Sequence, residues 1–193
     1  TGLSNLESIG EELWIEYNDV LPSLAALSTL DTIGREDGGD KGLYIANNPE
    51  LESLTGLEEL DTIAGDLEIN DNDDPLFTTL APLAQIDADG IGNNLIIYSN
   101  DALEELTGLD NLAGAFPGGI EVDDNPSLRN SGGATGLEAL DAITSVAGGV
   151  HVDNNDALEN LDFDALTSVD GNMHIDGNNV LSNLDDLDGL TTI

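Results

Sequence analysis

Leu67-Glu68-Ile69-Asn70-Asp71-Asn72 is the stretch whose reading decides the fold. Two apolar residues flank one variable residue, and an asparagine follows three positions after the second. The phrase returns as Leu13-Trp14-Ile15 with Asn18, Leu43-Tyr44-Ile45 with Asn48, and Leu95-Ile96-Ile97 with Asn100. It continues as Ile120-Glu121-Val122 with Asn125, Val150-His151-Val152 with Asn155, and Met173-His174-Ile175 with Asn178. The steps between asparagines are 30, 24, 28, 25, 30 and 23 residues. Self-similarity at such a period is the mark of a solenoid.

Outside the phrase, apolar residues fall at every third position. Leu21, Leu24, Leu27, Leu30 and Ile33 form one run; Leu51, Leu54, Leu57, Leu60 and Ile63 form another; Leu181, Leu184, Leu187, Leu190 and Ile193 form a third. An α-helix turns about 100° per residue, so a strict step of three drifts off any one face. Long 3₁₀-helices align such a step but are uncommon, which leaves short extended pieces joined by turns. The apolar pair inside each phrase has the period of two expected of a strand. Stacking the coils predicts seven strands side by side in a parallel sheet, about 4.8 Å apart, with each apolar position forming a buried column. Asn18, Asn48, Asn72, Asn100, Asn125, Asn155 and Asn178 form a structural column that pairs turn backbone no sheet reaches. Gly10, Gly42, Gly65, Gly92, Gly119, Gly149 and Gly171 precede the strands, where positive φ suits a tight turn. Insertions fall at Arg35 to Gly42 and at Asn130 to Ala134, on a side that solenoids often use for binding.

Over 193 residues, 40 acidic side chains face only Arg35, Lys41 and Arg129, for a formal net charge of -37. Such a surface repels nucleic acid and anionic membranes, since both are bound through Lys and Arg. Self-repulsion on this scale calls for screening, which predicts a halophilic surface or one that gathers divalent cations. Cysteine is absent, and so is any apolar run of about 18 residues that would insert in a membrane. No nucleophile-base pair, phosphate loop or zinc spacing appears, so no enzyme is expected.

The pattern Leu-x-x-Leu-x-x-Ile-x-Gly-x-Leu-x-Ile-x-x-Asn-x-x-Leu resembles the receptor L domain, a leucine-rich-repeat-like module of receptor ectodomains and prokaryotic surface proteins. Asp61-Thr62-Ile63-Ala64-Gly65-Asp66-Leu67-Glu68-Ile69 matches it closely, and Ala113 to Gly119, lacking the usual aliphatic, departs most. The resemblance spans the whole chain. It implies a right-handed leucine-rich-repeat-like or β-helical solenoid, with a parallel sheet and little α-helix. It also implies binding or scaffolding outside the cell, without enzyme chemistry. The expected architecture is a single domain over residues 1–193 with about seven coils.

Three sets of residues are candidates for more than scaffold. The variable residue of each phrase, and the one two positions on, should point outward. That places Trp14, Tyr44, Ile96 and Tyr98 on one exposed face suited to a glycan or protein partner. His151 and His174 follow one another on that face beside Asp153 and Asp176, a set that can hold a transition metal or sense pH. Asp87 and Asp89 resemble the start of a calcium loop without its distal Glu. No cofactor is required by any of these readings, with calcium or another cation as the candidate ligand.

Thr1 in place of Met fits a mature form after leader removal. The chain opens and stops inside the pattern, uncapped at both ends, so self-association end to end is expected if it is not a piece of a longer surface protein. The expected role is a non-enzymatic extracellular structural or adhesion module of a halophilic prokaryote, assembling into filaments or a surface layer. The alternative is a ligand-binding surface module that uses the aromatic face.

Overall fold

A computed structural model describes residues 2–34, 41–130 and 135–193. Most of the two predicted insertions, at residues 35–40 and 131–134, therefore lies outside the described residues, Arg35 included. The rest is a parallel β-solenoid with no α-helix among the described residues.

Each phrase forms one four-residue strand: β1 (Leu13–Glu16), β2 (Leu43–Ala46), β3 (Leu67–Asn70), β4 (Leu95–Tyr98), β5 (Ile120–Asp123), β6 (Val150–Asp153) and β7 (Met173–Asp176). They pair in chain order into a single parallel sheet. The register aligns like with like, so that Leu43 faces Leu13 and Leu67, and Ile45 faces Ile15 and Ile69. About five turns are complete; the expected count of seven includes the two outer coils, whose Leu13, Ile15, Met173 and Ile175 are only partly buried. Two further three-stranded parallel sheets flank the main one, built from Ser8–Ile9, Thr32–Ile33 and Thr62–Ile63, and from Gly114–Phe116, Ile143–Val146 and Ser168–Val169. In the second of these Phe116, paired with Val146 and buried, fills the place where the fifth coil lacks its aliphatic residue.

The three-residue leucine step is resolved by turns that are partly 3₁₀. Leu30 donates its N–H to Leu27, and Leu27 to Leu24, both at 2.8 Å; Leu60, Leu57 and Leu54 repeat this at 3.1 Å. True 3₁₀ segments stay at three residues each, as at Ala25–Leu27 and Ala81–Leu83. Every i→i+3 bond returns the next leucine to the same side, and Leu51, Leu54, Leu57, Leu60 and Ile63 are all fully buried. Burial at about 1.5–3 kcal/mol per large aliphatic side chain makes this column the main driving force.

The asparagine column is a continuous ladder inside the turn. Asn72 donates its backbone N–H to Asn100 Oδ1 at 3.2 Å, Asn100 to Asn125 at 3.1 Å, and Asn125 to Asn155 at 3.1 Å. From Asn48 to Asn155 each side-chain amide also serves two strand-end carbonyls: Asn100 Nδ2 donates to Ile69 O and Tyr98 O at 3.0 Å. Five members, Asn48 through Asn155, are fully buried, and none lacks a partner.

The residue before each asparagine is left-handed. Tyr17, Asn47, Asp71, Ser99, Asp124 and Asn154 have φ of 51–55°, and Gly177 has φ of 66°. This kink turns the asparagine inward, and Asn, Asp and Gly tolerate it best. The glycines before the strands need correction, because none of the seven adopts positive φ. Gly42, Gly65, Gly92 and Gly171 are there for close approach: a Cβ on Gly42 would sit 2.2 Å from Asp66 O, and one on Gly92 would sit 2.4 Å from Ala64 O.

Candidate functional site

Parallel register carries the variable residues onto one outer column, Trp14, Tyr44, Glu68, Ile96, Glu121, His151 and His174. The second column, two residues on, runs Glu16, Ala46, Asn70, Tyr98, Asp123, Asp153 and Asp176. Both lie where the sequence places them, but their exposure differs from expectation.

Trp14 and Tyr44 stack face to face, with centroids 4.1 Å apart and planes 16° from parallel. The indole covers the phenol ring, so Tyr44 is only 8% exposed while Trp14 is 53% exposed. Tyr44 is thus not part of an open face; it belongs to an aromatic ladder along the coil axis, with its hydroxyl 3.5 Å from Asp66 Oδ2. Tyr98 and Ile96 are half-buried. Tyr98 stands opposite Asn70, and its hydroxyl hydrogen-bonds Glu68. Burial and the charge of Glu68 raise the Tyr98 pKa, and burial beside Asp66 and Glu16 raises that of Glu68. Asn70 is 4% exposed; its Nδ2 donates to Asp71 Oδ2 at 2.8 Å, while its Oδ1 is buried without a partner. The four predicted aromatic-face residues therefore do not form one platform.

His151 and His174 are neighbours, with ring centroids 6.0 Å apart and edge to face, but they turn to different surroundings. His174 Nδ1 lies 2.9 Å from Asp153 Oδ2, a hydrogen bond that raises the imidazole pKa, and Asp153 Oδ1 accepts the Asp176 N–H at 3.0 Å. His151 Nε2 reaches toward Gly149 instead. Asp87 is occupied in its own turn, where Oδ1 accepts the Asp89 N–H at 3.1 Å. Among the described residues no three His, Asp or Glu side chains converge to hold a metal.

A second ladder runs just before the strands on this face, through Gly42, Asp66, Asn94, Gly119, Gly149 and Asn172, each immediately preceding its strand. Asp66 Oδ1 accepts the Asn94 N–H and Nδ2, both at 2.9 Å, and Asn94 Oδ1 accepts the Gly119 N–H at 2.7 Å. Each side chain thus satisfies the backbone of the following coil. At Gly119 and Gly149 there is no side chain, and the series stops. The N–H groups of Gly149 and Asn172 have no acceptor among the described residues.

The missing side chains leave an open groove of about 410 Å³, lined by Asn94, Ile96, Glu121, His151 and Asn172 over a floor of Gly119 and Gly149. The point where a Gly149 Cβ would stand is 2.9 Å from Asn172 O, 3.3 Å from His151 Nε2 and 3.6 Å from Asn172 N. The corresponding point at Gly119 is 3.4 Å from Asn94 Oδ1 and 3.5 Å from Gly149 N. Of the groove, only Ile96 and His151 were among the sequence candidates.

Away from the groove, Asn130 Oδ1 accepts the N–H groups of Glu159 and Asn160 at 3.1 and 3.0 Å. Asp186 Oδ2 accepts those of Leu161 and Asp162 at 2.9 and 3.1 Å. Asn130 also donates to the Asp162 carboxylate. Burial, followed by the charge of Asp186, pushes the Asp162 pKa up to about 6.

No family model matches this chain, and no solved structure matches it either.

Proposed function

We propose that the protein is a non-enzymatic structural or adhesion module of the receptor L type, working at a cell surface or outside the cell in concentrated salt. The observation that supports this reading is how completely the scaffold uses the inward residues. The apolar columns fill the core and the buried asparagines bond to one another. What is left to meet the surroundings is an acidic outer surface on a chain of net charge -37.

Salt adaptation follows from the electrostatics. Cationic partners within the molecule are few: Arg129 pairs with Glu104 at 2.7 Å, and Lys41 lies 3.9 Å from Glu11. The remaining repulsion must be screened by ions, and in about 1 M salt the Debye length falls to about 3 Å. Thermal melting in dilute buffer and in molar sodium chloride tests this directly. The proposal expects a large rise in melting temperature with salt; equal melting in both would remove it.

End-to-end self-association belongs to the same reading. The inner ladder has a direction, each asparagine donating to the Oδ1 of the next, as Asn18 does to Asn48 and Asn155 to Asn178. A further coil stacked on either side, from the same or another copy, meets a complementary partner. Negative-stain images of purified protein at high salt should show filaments, and discrete particles alone would discard this part.

A further inference from the structure

We infer that the groove over Gly119 and Gly149 is a binding site for a neutral saccharide. The inference is independent of salt adaptation and of self-association, since it rests on the local chemistry of four coils.

Two backbone N–H groups without an acceptor among the described residues, of Gly149 and Asn172, border the space where the outer ladder lacks side chains, about one strand spacing apart. Backbone donors are strong hydrogen-bonding groups, and at Asn94 and Gly119 in this series a side-chain oxygen meets them. A ligand must therefore offer acceptor oxygens at that spacing. Glu121 on the same wall accepts only, so the ligand must also donate. Hydroxyl groups do both. His151 Nε2 adds a ring nitrogen beside the second hollow, Asn94 Oδ1 an acceptor beside the first, and Ile96 an apolar patch against which a sugar C–H face can pack.

The charge of the molecule discriminates among acceptor-bearing ligands. A carboxylate or phosphate would enter beside Glu121 on a protein of net charge -37, whereas a neutral polyol meets no such repulsion. From β4 to β7 the groove crosses three strand spacings, about 14 Å, which fits a short oligosaccharide lying along the coil axis rather than a single sugar.

The decisive variant is Gly119→Asn. Its Cβ has room with small adjustments, since the nearest atom is Gly149 O at 3.2 Å, and the backbone φ is not positive. The introduced side-chain oxygen would then accept the Gly149 N–H as Asn94 accepts that of Gly119, closing the groove from within. Isotope-labelled protein is titrated with neutral trisaccharides of glucose, mannose and N-acetylglucosamine, with sodium acetate and sodium phosphate as anionic probes.

The expected result is saturable movement of the Gly149 and Asn172 amide signals with at least one trisaccharide and none with the anions. Gly119→Asn should weaken that binding about tenfold or more while keeping its melting temperature. Glu121→Ala should weaken it as well, and decides the matter if Gly119→Asn does not fold. Movement with the anions alone, no movement with any trisaccharide, or undiminished binding in Glu121→Ala or folded Gly119→Asn overturns the inference.

Discussion

Two ladders of side-chain oxygens cross the coils of this protein, and they differ in one respect. The inner one runs through the asparagines from Asn18 to Asn178 without a gap. The outer one begins at Asp66, passes through Asn94 and ends at Gly119, leaving two N–H groups open to a groove. Both use the same device, a side chain of one coil meeting the backbone of the next. The contrast teaches that in a repeat protein an unbroken bond series fills the interior, whereas a break in one leaves backbone donors open at the surface.

The largest test of this contrast is Asn100→Ala. It strands the Asn72 N–H and the carbonyls of Ile69 and Tyr98 in a dry interior. At about 1–3 kcal/mol for each unmet buried group, a loss of about 4 kcal/mol is expected in chemical denaturation. Asn18→Ala removes the same type of residue where it is exposed, and a loss of about 1 kcal/mol is expected there. Equal losses at the two sites would mean that burial is not what gives the inner ladder its importance.

Next comes Asp162, held beside Asp186. Because its pKa is raised to about 6 in the fold, its contribution to stability is fully present below the ordinary 3.8 and is lost as pH rises through about 6. Above that, the charged carboxylate opposes folding. Asp162→Asn keeps an acceptor for Asn130 and should stabilise the protein above about pH 7. After discounting for its half-exposed setting the gain is about 1 kcal/mol, and it should vanish in acid. A gain that persists unchanged at low pH would assign the effect to something other than charge.

Gly119→Asn repairs the outer ladder and should leave stability unchanged or raise it by up to about 1 kcal/mol, the net value of one new hydrogen bond. A loss of more than that in thermal melting would show that the groove is not simply a missing side chain. The smallest effect is expected at Ser99, whose φ of 53° suits Gly better than Ser. Ser99→Gly should add about 0.5 kcal/mol, with the same substitution at Ser145, inside a strand, costing stability instead.

The inner half of this comparison was legible in the sequence because its spacing is strict and its chemistry does not vary. Seven asparagines three residues past a Leu-x-Ile pair can satisfy a turn in only one way, and the buried columns follow from the same period. The left-handed column was also written there, since five of the seven residues before those asparagines are Asn47, Asp71, Asp124, Asn154 and Gly177. The exposure of Tyr44 was not legible, because it depends on how the Trp14 ring lies over it. Nor was the groove. Gly119 and Gly149 read as turn glycines like the others, and only coordinates show that their neighbours Asp66 and Asn94 carry a bond the glycines cannot make.

Amide hydrogen exchange, resolved by residue in the free protein, tests the two-ladder account most directly. The account predicts slow exchange for the N–H groups of Asn72, Asn100 and Asn125 in the inner ladder, and for those of Asn94 and Gly119 in the outer one. Gly149 and Asn172, one coil further on, should exchange fast although they flank strands of the same sheet. Protection at Gly149 and Asn172 equal to that at Gly119 would contradict it.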